Sequence, residues 1–224
     1  MDINALQNII KELSNGNNLG EPVTLVGATK MMDVDTINLA IKNGLKVVAE
    51  NKVQEFTAKN EFIKDAEQHF IGHLQTNKVK YLVGKVKLIH SVDSVKLAEE
   101  ISKFAVKRDC TQEILLEVNI GGELSKSGFT PEEINIECKK IAIMPNIKVV
   151  GLMAMLPNTL DATLQKKLCL QMREIFDTLK NEGLPFKNLS VGMSGDYKIA
   201  IENGSNMVRI GSLIFGKRNY GEEK

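Results

Sequence analysis

The chain has 224 residues, of which 43% are hydrophobic and 25% charged, and a formal net charge of +1. That length suits one large α/β domain or two small ones, the composition is ordinary for a globular protein, and the charge gives no footing for nucleic acid or an anionic membrane as a partner. No N-terminal apolar run resembles a signal peptide and no stretch is long enough to cross a bilayer. Cys110, Cys138 and Cys169 have no ligand-like spacing, so the expectation is a cytoplasmic monomer with free thiols.

Leu6, Ile9, Ile10 and Leu13 fall on one helical face, and residues 15–20 break that leading helix. The run Thr24–Ala28 predicts a first buried strand, after which Asp33 or Asp35 caps a helix ending near Asn43-Gly44. Residues 47–49 read as a second strand, and residues from Asn51 onward as a helix using Val53, Phe56 and Ala58. Residues 69–72 read as a third strand, 76–84 as a short helix and 86–90 as a fourth strand. Asp93 then starts a helix with Leu97, Ile101, Phe104 and Ala105 on one face. In the second half, residues 114–119 are a strand and 121–128 a polar, Gly-rich loop. Thr130-Pro131-Glu132-Glu133 is a capping box with proline at the first helical position. Residues 148–153 make a sixth strand, and Leu164, Leu168, Met172, Ile175, Phe176 and Leu179 mark the longest amphipathic helix. Residues 189–191 and Met207–Ile210 are strands seven and eight.

Short buried strands separated by helices imply a parallel sheet. Eight such units after one leading helix, with no linker composition between them, fit a single (β/α)8 TIM barrel over residues 1–224. An open doubly wound sheet is the alternative, but the first strand–helix turn lacks GxGxxG.

The stretch 191–216 reads as loop, short helix, turn, strand and loop. Gly192, Ser194 and Gly195 open it, Asp196 caps a helix over 197–202, Asn203-Gly204 closes that helix, and Gly211-Ser212 starts another turn. Two Gly/Ser turns, each opening a helix-like segment, attract anions, phosphate above all; two ordinary turns are the plainer alternative. Lys30, at the end of the apolar run from Thr24, is either a snorkelling surface residue or a functional amine. In a closed barrel strands one and eight are neighbours, active sites lie at the C-terminal strand ends, and phosphate often binds after strands seven and eight. Lys30 would then end beside the phosphate cup, a pairing suited to a ligand with a phosphate at one end and an aldehyde at the other.

Several runs also follow one family's order: LVGATK with Lys30, AENKVQE (49–55), HFIGHLQTNK (69–78), SKSG (125–128), GLMAM (151–155), GMSGDYKIAI (192–201) and MVRIGSLIFG (207–216). Through them nearly the whole chain resembles the pyridoxal 5′-phosphate (PLP) homeostasis protein family, whose barrel is similar to the N-terminal barrel of alanine racemase, of fold type III. One departure is Ala49, where the family usually has glycine before Glu50-Asn51. The resemblance implies PLP held covalently as an aldimine at Lys30, with its phosphate at Ser194 and the Gly211-Ser212 turn. It also implies Arg209 facing the pyridine nitrogen, with Asn51 and Met153 against the ring region. Taken alone, Ser194 and Ser212 also read as caps, Asn51 as the cap of the next helix and Met153 as core.

The implied function is PLP binding and a part in intracellular PLP homeostasis, by storage and delivery to apo PLP-dependent enzymes, without efficient catalysis. Arginine keeps its proton, so a ring nitrogen facing it stays unprotonated and is a weaker electron sink. Alanine racemase's second domain, with its tyrosine base, has no counterpart in this sequence. Only residues 217–224 follow the eighth unit, and Tyr81, Tyr197 and Tyr220 stand in no matching motif. The alternatives are an amino-acid racemase of low activity, or a phosphosugar barrel in which Lys30 forms a Schiff base with a sugar. His69 and His73 lack a third ligand, so no metal is expected. Lys78, Lys80, Lys85 and Lys87 read as a solvated face, while His73 and Lys126 are candidates for the mouth.

Overall fold

The computed structural model describes residues 1–123 and 126–216; Leu124, Ser125 of the SKSG run and residues 217–224, with Tyr220, lie outside the described residues. Eight parallel strands close into a barrel in sequence order: β1 (Thr24–Ala28), β2 (Val47–Glu50), β3 (Glu67–Phe70), β4 (Leu88–Val92), β5 (Gln112–Glu117), β6 (Ile147–Ala154), β7 (Asn188–Met193) and β8 (Met207–Ile210). The seam is β1 on β8, paired from Thr24↔Met207 to Gly27↔Ile210. The expected TIM barrel is therefore the observed fold, and the open-sheet alternative is excluded.

Around the barrel run α1 (Ile3–Leu13), α2 (Val34–Lys42), α3 (Val53–Lys59), α4 (Val95–Lys107), α5 (Ile134–Ala142), α6 (Ala162–Asn181), α7 (Tyr197–Glu202) and α8 (Ser212–Phe215). Local chemistry sets their starts. Asp2 caps α1 by accepting from Ala5 N, and Asp33 rather than Asp35 caps α2 by accepting from Thr36 N. Ser94, one residue after the expected Asp93, caps α4 through Leu97 N. The capping box forms, with Thr130 N donating to Glu133 Oε2 and Glu133 N to Thr130 Oγ1, but it closes a turn and α5 begins only at Ile134. Residues 76–81 are a 3₁₀ helix, Thr76–Tyr81. No helix among the described residues is long and apolar enough to cross a membrane.

Strands buried on both faces split their side chains between two cores. Outward residues such as Phe70, Ile89, Leu116 and Leu152 meet the helices in one large cluster, which includes Phe176 of α6. Phe176 is fully buried, with its ring centroid 5.4 Å from that of Phe186, so truncating it to alanine would cost about 3–5 kcal/mol. The leading helix joins a second cluster, where Leu6, Ile9 and Leu13 pack with Ile37, Ile214 and Phe215. Asp2 N donates to Ile214 O at 2.8 Å, so the two ends of the described chain are laced together. Inward residues, among them Val26, Val47, Ala49, Leu115, Met153 and Met207, form a third cluster that floors the barrel.

Candidate functional site

Lys30 lies two residues beyond β1, half-buried, and its amine engages no described residue. The turn that carries it is clamped. Met31 takes the left-handed conformation, φ 64°, and its N–H donates to Glu55 Oε2 at 2.6 Å. Thr29 Oγ1 donates to Glu50 Oε1 at 2.8 Å, and Lys59 Nζ bridges Glu50 at 3.0 Å and Glu55 at 2.8 Å. Burial pushes the Glu50 carboxyl up, against the pull of Lys59. Helix α3 thus holds the Lys30 turn through an ion triad that the sequence reading missed. The signal available was the Glu55–Lys59 pair, one helical turn apart.

Asn51 follows β2. It does not cap α3, whose N-cap is Lys52 without a side-chain bond; its Oδ1 is instead buried with no hydrogen-bond partner among the described residues. The backbone of Gly72 presses on it, since a Cβ at Gly72 would lie 1.9 Å from Asn51 O. Met153, 1% exposed, sits in the apolar floor.

The two Gly/Ser loops meet. Ser194 Oγ, after β7, accepts from Gly211 N, after β8, at 3.3 Å. Ser212 is the exposed first residue of α8, and Gly195 has open space around it. Asp196 precedes α7 but makes no cap bond; its Oδ1 accepts from Met193 N, closing the loop on itself, which corrects the expected cap. Gly192 is at φ 105°, and a Cβ there would sit 2.8 Å from Ala200 Cβ, so glycine is required where strand turns into helix.

Arg209 points into the barrel from β8 and is 5% exposed. Its Nη1 donates to Ser190 O at 2.7 Å and Ser190 Oγ at 2.6 Å, and its Nη2 to Ala154 O at 2.9 Å. Burial lowers its pKa to about 10, opposed by the charges of Glu117 and Asp196. Glu117, the last residue of β5, is 6% exposed, and its carboxylate makes no hydrogen bond or ion pair among the described residues. Burial, with Asp93 second, pushes that carboxyl up to about 7 against Arg209 and Lys126. The sequence reading did not single out Glu117, although an acid closing an apolar strand was the signal.

The fold therefore gathers Lys30, Ser194, Arg209, Gly211 and Ser212 at the ends of the adjoining strands β1, β7 and β8. Asn51 lies at the end of β2, and Met153 in the floor below. His73 stays at the rim, exposed, with Nδ1 3.3 Å from Asp93 Oδ2. Lys126 pairs with Glu123 and donates to Leu156 O at 3.3 Å. His69 meets His90 rather than His73, with 3.0 Å between ring nitrogens. Among the described residues no cluster of His, Cys, Asp or Glu is arranged to hold a metal. A cavity of about 860 Å³ lies at the opposite end of the barrel, between α1 and the starts of β1 and β2, and contains none of these residues.

Comparison with known proteins gives consistent matches. The family model for the alanine racemase N-terminal domain matches residues 2–219. A pyridoxal phosphate homeostasis protein of Aquifex aeolicus is 46% identical over 199 residues, 88% of this chain and 87% of that protein. The structure of PipY from Synechococcus elongatus PCC7942, solved with PLP bound, superposes with a TM-score of 0.84 at 28% identity, covering 96% of this chain and 99% of that one. Alanine racemase of Clostridium difficile 630 shares the fold at a TM-score of 0.80 and 16% identity, covering 96% of this chain but 57% of the racemase.

Proposed function

The chain belongs to the pyridoxal phosphate homeostasis proteins of the alanine racemase N-terminal-domain family, and on that premise we propose that it binds PLP at the C-terminal mouth of its barrel and serves the intracellular supply of that cofactor without turning over amino acids. The observation that carries this reading is the placement of Lys30 just after β1, which pairs with β8, while the loops after β7 and β8 are joined by the Gly211–Ser194 bond. The residues present fit the group. There is an unengaged amine, a pair of linked Gly/Ser loops for an anion, and a guanidinium with donors to spare. An orphaned amide oxygen, Asn51 Oδ1, remains at the rim.

PLP, when bound, supplies an aldehyde carbon for an amine and a pyridine ring that can accept electrons. In this reading Lys30 is the amine that attaches covalently, and Ser194, Gly211 and Ser212 hold the phosphate through hydroxyl and backbone N–H groups. Arg209 engages three of its five donors with Ser190 and Ala154, leaving Nε–H and one Nη2–H for the ring nitrogen. A group that only donates leaves that nitrogen unprotonated. Asn51 borders the ring, and Met153 closes the floor against water. Recipients of the cofactor are apo PLP-dependent enzymes, and the site is that of a cytoplasmic carrier.

Racemisation needs a base on each face of the substrate. Tyr197 donates its hydroxyl to Glu12 Oε2 on the outside of the barrel, and Tyr81 is exposed to solvent on the 3₁₀ helix. The test is to load the chain with PLP, reduce with borohydride and map the adduct. The expected site is Lys30, with the adduct and the visible absorbance lost in Lys30→Ala; an adduct on another lysine overturns the assignment. The same loaded protein should racemise L-alanine well below the ~1–10³ s⁻¹ of ordinary enzymes, and a rate inside that range overturns the carrier reading.

A further inference from the structure

The inside of a TIM barrel is ordinarily filled by branched apolar side chains. Here a line of four buried polar residues crosses it, from His69 on β3 through His90 on β4 to Ser190 on β7 and Arg209 on β8. The first bond is directed from the arginine end, because guanidinium has donors and no acceptor, and the pairing of the Ser190 hydroxyl proton orders the rest. Arg209 Nη1 donates to Ser190 Oγ at 2.6 Å. Ser190 is fully buried, and its own hydroxyl proton has one ring nitrogen in reach among the described residues, His90 Nδ1 at 3.2 Å. The arrangement that pairs this proton has His90 accepting at Nδ1 and carrying its own proton on Nε2, from which it donates to His69 Nδ1 at 3.0 Å. His69 in turn is protonated at Nε2, which lies 3.4 Å from Glu67 Oε2 without forming a hydrogen bond.

Burial holds both imidazoles neutral: it lowers His69 to about 3, and His90, also beside His69 and Arg209, well below its ordinary value. A line ending in a guanidinium is no route for protons, since that end does not release one. What it can do is hold an orientation. Buried polar side chains that pair with one another specify one arrangement, and here each of the four meets its neighbour in the line, with His69 Nε2 at the far end left unpaired among the described residues.

We propose that Ser190, His90 and His69 are positioning residues for Arg209, a one-way hydrogen-bonded strut that fixes the plane of its guanidinium and so keeps Nε–H and the second Nη2–H available to a ligand's ring nitrogen. This rests on the reading of the mouth as a PLP site, and the experiment separates the two.

In ¹⁵N-labelled protein without ligand, the wild type should show His69 and His90 as neutral Nε2–H tautomers and a sharp, slowly exchanging Arg209 Nε–H resonance. Ser190→Ala should release the His90 tautomer and broaden the arginine resonance, and Ser190→Thr, which keeps the hydroxyl, should restore both. Pyridoxal, which lacks the phosphate and so reports the ring contacts, should bind Ser190→Ala about tenfold more weakly, the size of one charge-assisted hydrogen bond, and Ser190→Thr nearly as well as wild type. His90→Gln is the second variant, and should broaden the same arginine resonance from one step further along the line. Unchanged arginine resonances in both Ser190→Ala and His90→Gln, or unchanged pyridoxal affinity in a Ser190→Ala protein that folds, overturn the strut. Failure of the wild type to bind pyridoxal or PLP would sink the cofactor reading alone, with the arginine resonance still deciding the strut.

Discussion

Replacing Glu117 with glutamine removes a charge that the fold holds at a cost. Its carboxyl, raised by burial and by Asp93 from an ordinary 4.5 to about 7, takes up a proton more readily in the folded protein than in the unfolded chain. Between those values the folded state binds the extra proton, so stability is lost as pH rises through the window and the loss is complete above about 7. At about 1.4 kcal/mol per pH unit, the interval is worth about 3 kcal/mol. Glutamine has the same shape and does not ionise. Glu117→Gln should therefore match the wild type to within about 1 kcal/mol at pH 5 and exceed it by about 3 kcal/mol at pH 8, a rise in Tm of roughly 6–12 °C for a chain of this size. His69, lowered to about 3, works with the opposite sign: stability rises as pH climbs from about 3 to 6.5. That slope is common to both proteins, so the difference between their denaturation curves isolates Glu117. A difference that stays constant from pH 5 to pH 8 would refute the argument.

Gly72→Ala would drive a Cβ to 1.9 Å from Asn51 O and 2.6 Å from its carbonyl carbon, a backbone clash that no rotamer relieves. It should cost about 1–3 kcal/mol in urea denaturation and weaken PLP binding by shifting Asn51; wild-type values for both would mean that the close approach does not matter. Ser194→Ala combined with Ser212→Ala should weaken PLP more than pyridoxal, by about 0.5–1.5 kcal/mol for each bond lost, measured by fluorescence titration of the two ligands. Equal losses would put the phosphate elsewhere.

The alternation of strand and helix was legible because each strand is an apolar run closed by capping residues, and β1 and β8 lie where the sequence puts them. Strand three was expected at 69–72 and is found at Glu67–Phe70. The apolar run continues past the ladder, but the approach of Gly72 to Asn51 ends the regular pairing, and apolarity alone does not mark that point. Strand four likewise moves from 86–90 to Leu88–Val92. Lys30 and Arg209 stood out as single charges in apolar surroundings. Glu117 carries the same signal, but its neighbours Asp93, in the loop after β4, and Arg209, on β8, are distant in the chain, so its raised pKa had no local trace. The strut was less legible still: His90 and Ser190 are separated by 100 positions, and only barrel closure brings them together.

The lacing of α1 to α8 and of β1 to β8 also governs how the molecule can form. The contacts that complete the barrel join the two ends of the described chain, the longest loop closure available, and such contacts slow folding because the entropy of closure is spent before the contact forms. Leu6, Ile9 and Leu13 of α1 meet Ile37 of the nearby α2, but their packing is completed only when Ile214 and Phe215 dock from the far end of the barrel. Successive βα units can thus assemble in order, but the barrel is sealed only when β8 docks on β1. The mouth built from β1, β7 and β8 comes into being in that last step, together with the fold.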